Sequence, residues 1–473
     1  MDAIEAFTLD NRKAAVAGAA LEALRAELRG DLIVPGDGAY DEARAVWNAM
    51  VDRRPALIAR CRTADDVSRA VKFAARMGLL LAIRGGGHNI AGNAMCDGGM
   101  VIDLSLMKSV KVDDKARRAV VDPGATLADV DRETQKYGLA VPLGINSTTG
   151  VAGLTLGGGF GWLSRKHGLT CDNLVAAEVV TAEGKVVRAT PRDHADLFWA
   201  LRGGGGNFGV VTSFEFQLYP LGPEVYAGLV VYPFEQAREV LKAYRDWAKT
   251  LPDDASVWVV MRKAPPLPFL PAEVHGREVA VLANFYAGDP KDGEKVLAPA
   301  RTFGKPVGEH LGVMPYTAWQ QAFDPLLAPG ARNYWKSHNF SSLSDGMLDA
   351  LVESTTTLPS PHCELALAML GGQAGRTSQS ENAWAHRDAN YIVNVHGRWE
   401  TPAEDARGIA WAREVFDALA PHATGGVYVN FITADEKSRV PSAYGASFNR
   451  LSEIKKSFDP GNLFRVNHNI VPA

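Results

Sequence analysis

The sequence predicts an α+β protein of two parts, the second built on an antiparallel sheet covered by helices. Three observations predict it. Over residues 1–222, short apolar runs alternate with capped amphipathic stretches, as several short strands and helices would. After Pro220-Leu221-Gly222-Pro223, a boundary by its turn residues, longer strands and longer amphipathic helices occupy 223–420. Residues 421–473 return to short motifs.

The elements follow in order. Residues 14–29 are Ala/Leu-rich at helical spacing and stop at Gly30. Pro55 to Ala59 reads as a strand. Thr63 then caps a helix with Asp65 and Asp66 in its first turn and Gly78 after its end. Leu79 to Ile83 is the next strand, completing a β-α-β unit. Val101–Leu104 and Ala119–Val121 read as strands, and Thr126 caps a helix that runs to Gly138. Ala177–Thr181 and Val186–Ala189 flank Glu183-Gly184, a hairpin signal. Asp193 is read as the cap of a helix through Leu201, and Val210 to Leu218 alternates as a strand. In the middle region, helices are expected over 234–250, 290–302, 344–357 and 403–419. Strands are expected over 256–262, 277–286, 364–370 and 391–398.

Composition excludes several function classes. Apolar content of 47% and charged content of 22% suit a globular chain, and no basic run marks a nucleic-acid surface. No uninterrupted apolar stretch reaches the ~18 residues of a membrane span, and the N-terminus lacks the pattern of a secretory signal. The four cysteines lie far apart without a CxxC, so a reducing, cytoplasmic setting is expected, with neither disulfides nor a zinc site. His338, His386 and His396 have no metal-ligand spacing; no metal is expected.

The chemistry sits where the glycines cluster. The strand 79–83 runs into Arg84-Gly85-Gly86-Gly87-His88-Asn89-Ile90-Ala91-Gly92. Three successive glycines let backbone approach a bound group closely, and such a loop aims N–H groups at an anion such as a pyrophosphate. His88 closes the loop as a nucleophile or base. A second cluster runs from Gly150 to Trp162, followed by Gly168-Leu169-Thr170-Cys171-Asp172-Asn173. The third, Arg202-Gly203-Gly204-Gly205-Gly206-Asn207-Phe208-Gly209, contains a literal GxGxxG. A dinucleotide-binding fold needs strand, glycines, then helix. Here a helix precedes and a strand follows, which weakens a nicotinamide-dependent dehydrogenase. The fourth segment holds Tyr428-Val429-Asn430-Phe431, Ala443-Tyr444-Gly445 and Phe458-Asp459-Pro460-Gly461-Asn462.

These four segments, in this order, resemble the FAD-linked oxidases related to berberine bridge enzyme and 6-hydroxynicotine oxidase, within the vanillyl-alcohol-oxidase group. The resemblance covers nearly the whole chain, densely in the glycine segments and thinly in the middle. It implies a PCMH-type FAD-binding domain over 1–222 and 421–473, with a substrate-binding domain over 223–420. It implies that FAD is held by Arg84, Gly85, Gly86, Gly87, His88, Asn89 and Gly92. From the second cluster it implies Asn146, Thr149, Gly150, Gly153, Leu156, Gly157, Gly158, Gly161, Trp162 and Asn173. Gly205, Asn207, Phe208, Val210 and Val211 follow from the third, and Tyr428, Asn430 and Asn467 from the fourth. In the family the histidine at the place of His88 is bonded to the 8α-methyl of FAD. Some members add a second bond from a cysteine four residues before Gly150; here that place is Asn146. A single link through His88 is therefore expected, with Cys171 a buried free thiol.

The resemblance also implies the reaction: a hydride leaves an alcohol, sugar or amine carbon for the flavin, a tyrosine at the place of Tyr428 acts as base, and O2 is reduced to hydrogen peroxide. A flavin dehydrogenase with another electron acceptor and a non-catalytic flavin-binding protein are the alternatives. The substrate is a small molecule that the sequence does not identify. Tyr391 and Lys336 are candidates for its pocket by position, and Tyr444 and Tyr391 are the next candidate bases after Tyr428.

Overall fold

The structure, a computed structural model, describes residues 2–473. Near the N-terminus, Leu57–Arg60, Ala64–Met77 and Leu81–Arg84 form the expected strand, helix and strand. The two strands do not touch each other. Met100–Asp103 inserts between them, parallel to both. The helix is capped as its sequence predicts: Thr63 Oγ1 accepts from the Asp66 amide at 3.1 Å, and Gly78 ends it at φ +61°. A second, five-stranded sheet runs Val186–Ala189, Leu174–Val180, Val210–Gln217, Arg118–Val121, Val110–Asp113, with every pairing antiparallel. It contains the hairpin expected around Glu183-Gly184.

Two expectations in this part need correction. The helix expected over 14–29 covers Gly18–Glu27, because Lys13–Val16 is a strand paired with Ile4–Phe7. Its alternating exposure suits a strand better than a helix. The helix Ala195–Leu201 begins after His194, which sits at φ +51°; Asp193 turns away and its amide donates to Thr190 Oγ1 at 2.9 Å.

The middle of the chain forms a seven-stranded sheet in the order Gly308–Pro315, Glu224–Pro233, Glu278–Tyr286, Ala255–Lys263, Glu364–Met369, Tyr391–Trp399, Arg332–Phe340. All six pairings are antiparallel. Four of these strands were expected. Glu224–Pro233, Gly308–Pro315 and Arg332–Phe340 were not. The first and last are buried on both faces and lose the alternation that marks a half-solvated strand. The helices Ala237–Ala248, Pro290–Leu297, Asp345–Thr355 and Asp405–Leu419 pack on one face.

The opposite face of that sheet meets the glycine-rich segments. Arg165 fastens the junction: its Nε donates to Ala255 O at 2.8 Å and its Nη1 to Leu370 O at 2.7 Å. Asp172 and Arg387 form a buried bidentate pair at 2.7 and 2.9 Å. The C-terminal segment carries an unexpected helix, Phe448–Phe458, which packs on Ala195–Leu201. Its Lys455 is fully buried; the ammonium donates to Asp459 at 2.6 Å, Asn207 O at 2.7 Å and Phe464 O at 3.0 Å. That centre ties the C-terminus to the third glycine cluster. Among the described residues, no helix is long and apolar enough to cross a membrane.

Candidate active site

The three glycine clusters, the Tyr428 segment and the free face of the seven-stranded sheet enclose one cavity of about 330 Å³. From the first cluster, Gly85, Gly86, Gly87, His88 and Asn89 line it. Asn146, Thr149, Gly150, Gly153 and Leu156 come from the second. Gly205, Asn207, Val210 and Val211 come from the third, and Tyr428, Asn430 and Asn467 from the C-terminus. Two clusters far apart in sequence touch directly: a Cβ on Gly86 would strike the Gly150 backbone. The hollow they leave is a cradle for a ligand. Gly153 and Gly206 face it, and a Cβ on either would meet no atom within 4 Å. Asn467 Oδ1 and His468 Nε2 are buried on its wall without a protein partner. Backbone-lined walls with orphaned polar atoms suit a large, flat, hydrogen-bonding cofactor such as FAD.

The remaining expected site residues lie off the cavity and brace it. Arg84 donates to Ala43 O. Gly92 packs under Val51, Gly157 under the Asn430 amide, Gly158 under Trp384, and Gly161 against the Leu143 carbonyl; each has no room for a side chain. Trp162 lies in an aromatic cluster with Trp258 and Trp319, at 4.7 and 5.1 Å. Asn173 donates to His167 O and Leu169 O at 3.0 and 2.8 Å, and Phe208 is fully buried. Tyr391 and Lys336, candidates by position, do not reach the cavity either. Lys336 faces the helices, 3.3 Å from Glu436. Cys171 is buried and unpaired.

His88 is held on two sides. The Trp47 ring stacks on it at 5.1 Å and 20°. Its Nε2 is 3.1 Å from Thr148 Oγ1, which is itself 2.8 Å from Asn146 Oδ1. Asn146 Oδ1 also accepts from the Thr148 amide at 3.2 Å, so it is the acceptor of this pair. Thr148 therefore spends its proton on Asn146 and accepts from Nε2–H of His88, which leaves the Nδ1 lone pair free. Burial lowers the imidazole pKa to about 4, so the ring is neutral at physiological pH.

Tyr428 is 3% exposed. Its oxygen accepts from the Gly159 amide at 3.1 Å and from Asn430 Nδ2 at 2.8 Å. Burial raises the phenol pKa above its ordinary value, while these two donors pull the other way by favouring phenolate. Phe160 and Phe431 pack against its ring, both at 4.9 Å.

The sheet supplies residues that the glycine motifs gave no sign of. Glu364, Ala366 and Ala368 project into the cavity from one strand. Ile392, Asn394 and His396 project from the next, paired in register as Ala368–Ile392, Ala366–Asn394 and Glu364–His396. The polar pair is locked: Arg262 donates to Glu364 at 2.6 Å and His396 Nδ1 lies 3.2 Å from it. Burial alone would raise the Glu364 pKa, but Arg262 and His396 outweigh it and hold the carboxyl at about 2. Asn394 Oδ1, Trp258 Nε1 and Trp335 Nε1 are buried on this wall without partners. The available signal was the polar series Asn394, His396 and Arg398 at alternate positions of the strand Tyr391–Trp399.

Comparison with known proteins agrees with this geometry. The family model described as FAD binding domain matches residues 55–190, and the one described as Berberine and berberine like matches 427–471. The (R)-6-hydroxynicotine oxidase of Paenarthrobacter nicotinovorans is 32% identical over 469 residues, covering 94% of this chain and 97% of that one. The crystal structure of 6-hydroxy-D-nicotine oxidase from Arthrobacter nicotinovorans superposes with a TM-score of 0.85 at 29% identity, covering 94% and 98% of the two chains. Glucooligosaccharide oxidase from Acremonium strictum, whose FAD is 6-S-cysteinyl and 8α-N1-histidyl, superposes with a TM-score of 0.84 at 25% identity, covering 96% and 98%. Alike to these relatives along nearly its whole length, this chain belongs to the FAD-linked oxidoreductases related to berberine bridge enzyme and 6-hydroxynicotine oxidase, and it is an FAD-dependent oxidoreductase.

Proposed function

We propose that the protein is an oxidase acting on a small alcohol, sugar or amine, with FAD bonded once, through His88, and O2 as electron acceptor. The observation that carries it is the pairing, on one cavity, of a neutral histidine with a free Nδ1 and a buried tyrosine with a two-donor cradle. The glycine segments of 1–222 and the return at 421–473 bind the cofactor, and 223–420 supplies the substrate wall. FAD supplies the hydride acceptor. Tyr428, ionised beforehand to phenolate, receives the O–H or N–H proton of the substrate and becomes a neutral phenol; Gly159 N–H and Asn430 donate to that phenolate oxygen and favour the ionised base. Asn394, Trp258 and Trp335 offer the substrate an acceptor and two donors. The four buried, unpaired cysteines are consistent with a cytoplasmic protein.

The test is a peroxide-coupled screen of the purified yellow protein across carbohydrates, aromatic alcohols and cyclic amines. Peroxide formed in step with substrate oxidation is expected. Flavin that is bleached by a substrate but not restored by O2 would make the protein a dehydrogenase instead.

The single link has its own test. Glucooligosaccharide oxidase carries a cysteinyl bond as well as a histidyl one. Here the place that aligns with such a cysteine is Asn146, an amide that cannot attack a carbon, and Cys171 is buried with its thiol pKa pushed well up. A proteolytic digest should yield one flavin-bearing peptide, containing His88. A second on Cys171 would refute the assignment.

A further inference from the structure

The cavity has a side branch. On the far half of the seven-stranded sheet, Leu229 lies opposite Ala283, Val231 opposite Val281, and Val281 opposite Val260. These five side chains floor a second hollow of about 60 Å³, roofed by Leu270 and Leu326. Trp258, Leu327, Glu364 and Ala366 line both spaces, so the branch opens beside the reaction cavity. Trp258 lies 5.8 Å from the Phe160 ring, which in turn packs on Tyr428. Arg262 and Glu364 border the branch, but their charges are turned on each other at 2.6 Å.

Leu229 and Val260 stay partly exposed although each lies in a strand paired on both sides. Their uncovered surface faces this hollow. A void lined mainly by apolar side chains, with its one charged pair engaged internally, gives water too few hydrogen-bond partners, and its walls lack the contacts a packed core supplies. An apolar occupant restores those contacts. Continuity with the reaction cavity makes a part of the substrate that occupant.

We propose that this branch binds a short aliphatic group of the substrate, which is therefore an alcohol or amine carrying an alkyl substituent of a few carbons. This rests on the oxidase reading of the main cavity. The charged row Arg262–Glu364 bounds the branch on its polar side, so a hydroxylated extension, such as a second sugar ring, finds few partners there.

The test uses the flavin-loaded protein and a series of 4-alkylbenzyl alcohols, from the unsubstituted parent to butyl, with affinity read by tryptophan fluorescence. Affinity is expected to rise up to about fourfold per methylene until the branch is full. Val260→Phe and Ala283→Leu fill it from different strands. Either should flatten the series while leaving the parent alcohol within about twofold of wild type. A flat series in the wild-type protein, or an undiminished gain in both variants, overturns the proposal. So does an unchanged series accompanied by slower reoxidation of the reduced flavin, which would make the branch an oxygen path. Binding is read without turnover, so a protein that forms no peroxide but shows the chain-length gain counts against the oxidase reading alone.

Discussion

His88→Ala should release essentially all flavin into the supernatant on acid precipitation, whereas the wild-type pellet stays yellow. Three features of the site make this an all-or-none change. The ring is confined under Trp47, its Nε2 proton is taken by Thr148, and its Nδ1 lone pair has no competing partner. With its pKa lowered to about 4, the imidazole is unprotonated, and therefore nucleophilic, at neutral pH. Beside His88, Asn146 is an amide whose oxygen is engaged by Thr148; the other cavity imidazole with an unpartnered nitrogen, His468, stands on the C-terminal segment, away from the first glycine loop. The variant should still bind FAD without a covalent bond, because the glycine cradle is backbone and does not depend on the imidazole. The measurement is the ratio of flavin absorbance in pellet and supernatant, with the native protein's spectrum as control for binding. Flavin that stays with the precipitated variant would place the bond elsewhere. Wild-type flavin that washes out in acid would dismiss the covalent reading.

The glycine half of this site was legible from sequence because glycine is informative where a backbone must approach a ligand. Gly85–Gly87, Gly150 and Gly205 stand out in any reading, and the structure brings them to one cavity although more than a hundred residues separate the first from the last. Other glycines in the same clusters serve packing. Gly157 admits Asn430 and Gly158 admits Trp384, and a sequence gives no sign of which partner a glycine makes room for. The sheet half was illegible for a different reason. Its strands are buried on both faces, so Glu224–Pro233 and Arg332–Phe340 lack the alternation that would reveal which side chains face the site. Trp47, Trp258 and Trp335 fall outside the sequence motifs, and only the register across four strands brings Arg262, Glu364, His396 and Trp335 into one row. The C-terminal motif was recognisable, but the role of Lys455 was not. Its neighbours Asp459, Asn207 and Phe464 come together only when the chain returns.

Tyr428→Phe should slow flavin reduction by about 10²–10⁴-fold, the usual worth of a general base, while leaving the covalently bound flavin fraction unchanged. The ring is retained, so its contacts with Phe160 and Phe431 persist. What is lost is an oxygen that accepts two hydrogen bonds and faces the cavity. Leaving the Gly159 amide and Asn430 without that acceptor costs about 1–3 kcal/mol of stability, a secondary effect visible as a lower Tm. The two effects separate cleanly: a structural role alone would lower Tm without a pH signature. Burial holds the Tyr428 pKa above the ordinary phenol value of about 10, so the ionised form is scarce at neutral pH and grows as pH rises. Wild-type flavin reduction, followed in a stopped-flow instrument, should accelerate from about pH 6 to pH 9 by as much as tenfold per unit, and the Phe variant should lose that dependence. Tyr444 is the control. Its hydroxyl already donates to the His468 carbonyl at 3.3 Å, so its proton is committed, and Tyr444→Phe should reduce the flavin at close to the wild-type rate. A Tyr428→Phe enzyme that keeps both its rate and its pH profile would exclude this tyrosine as the base.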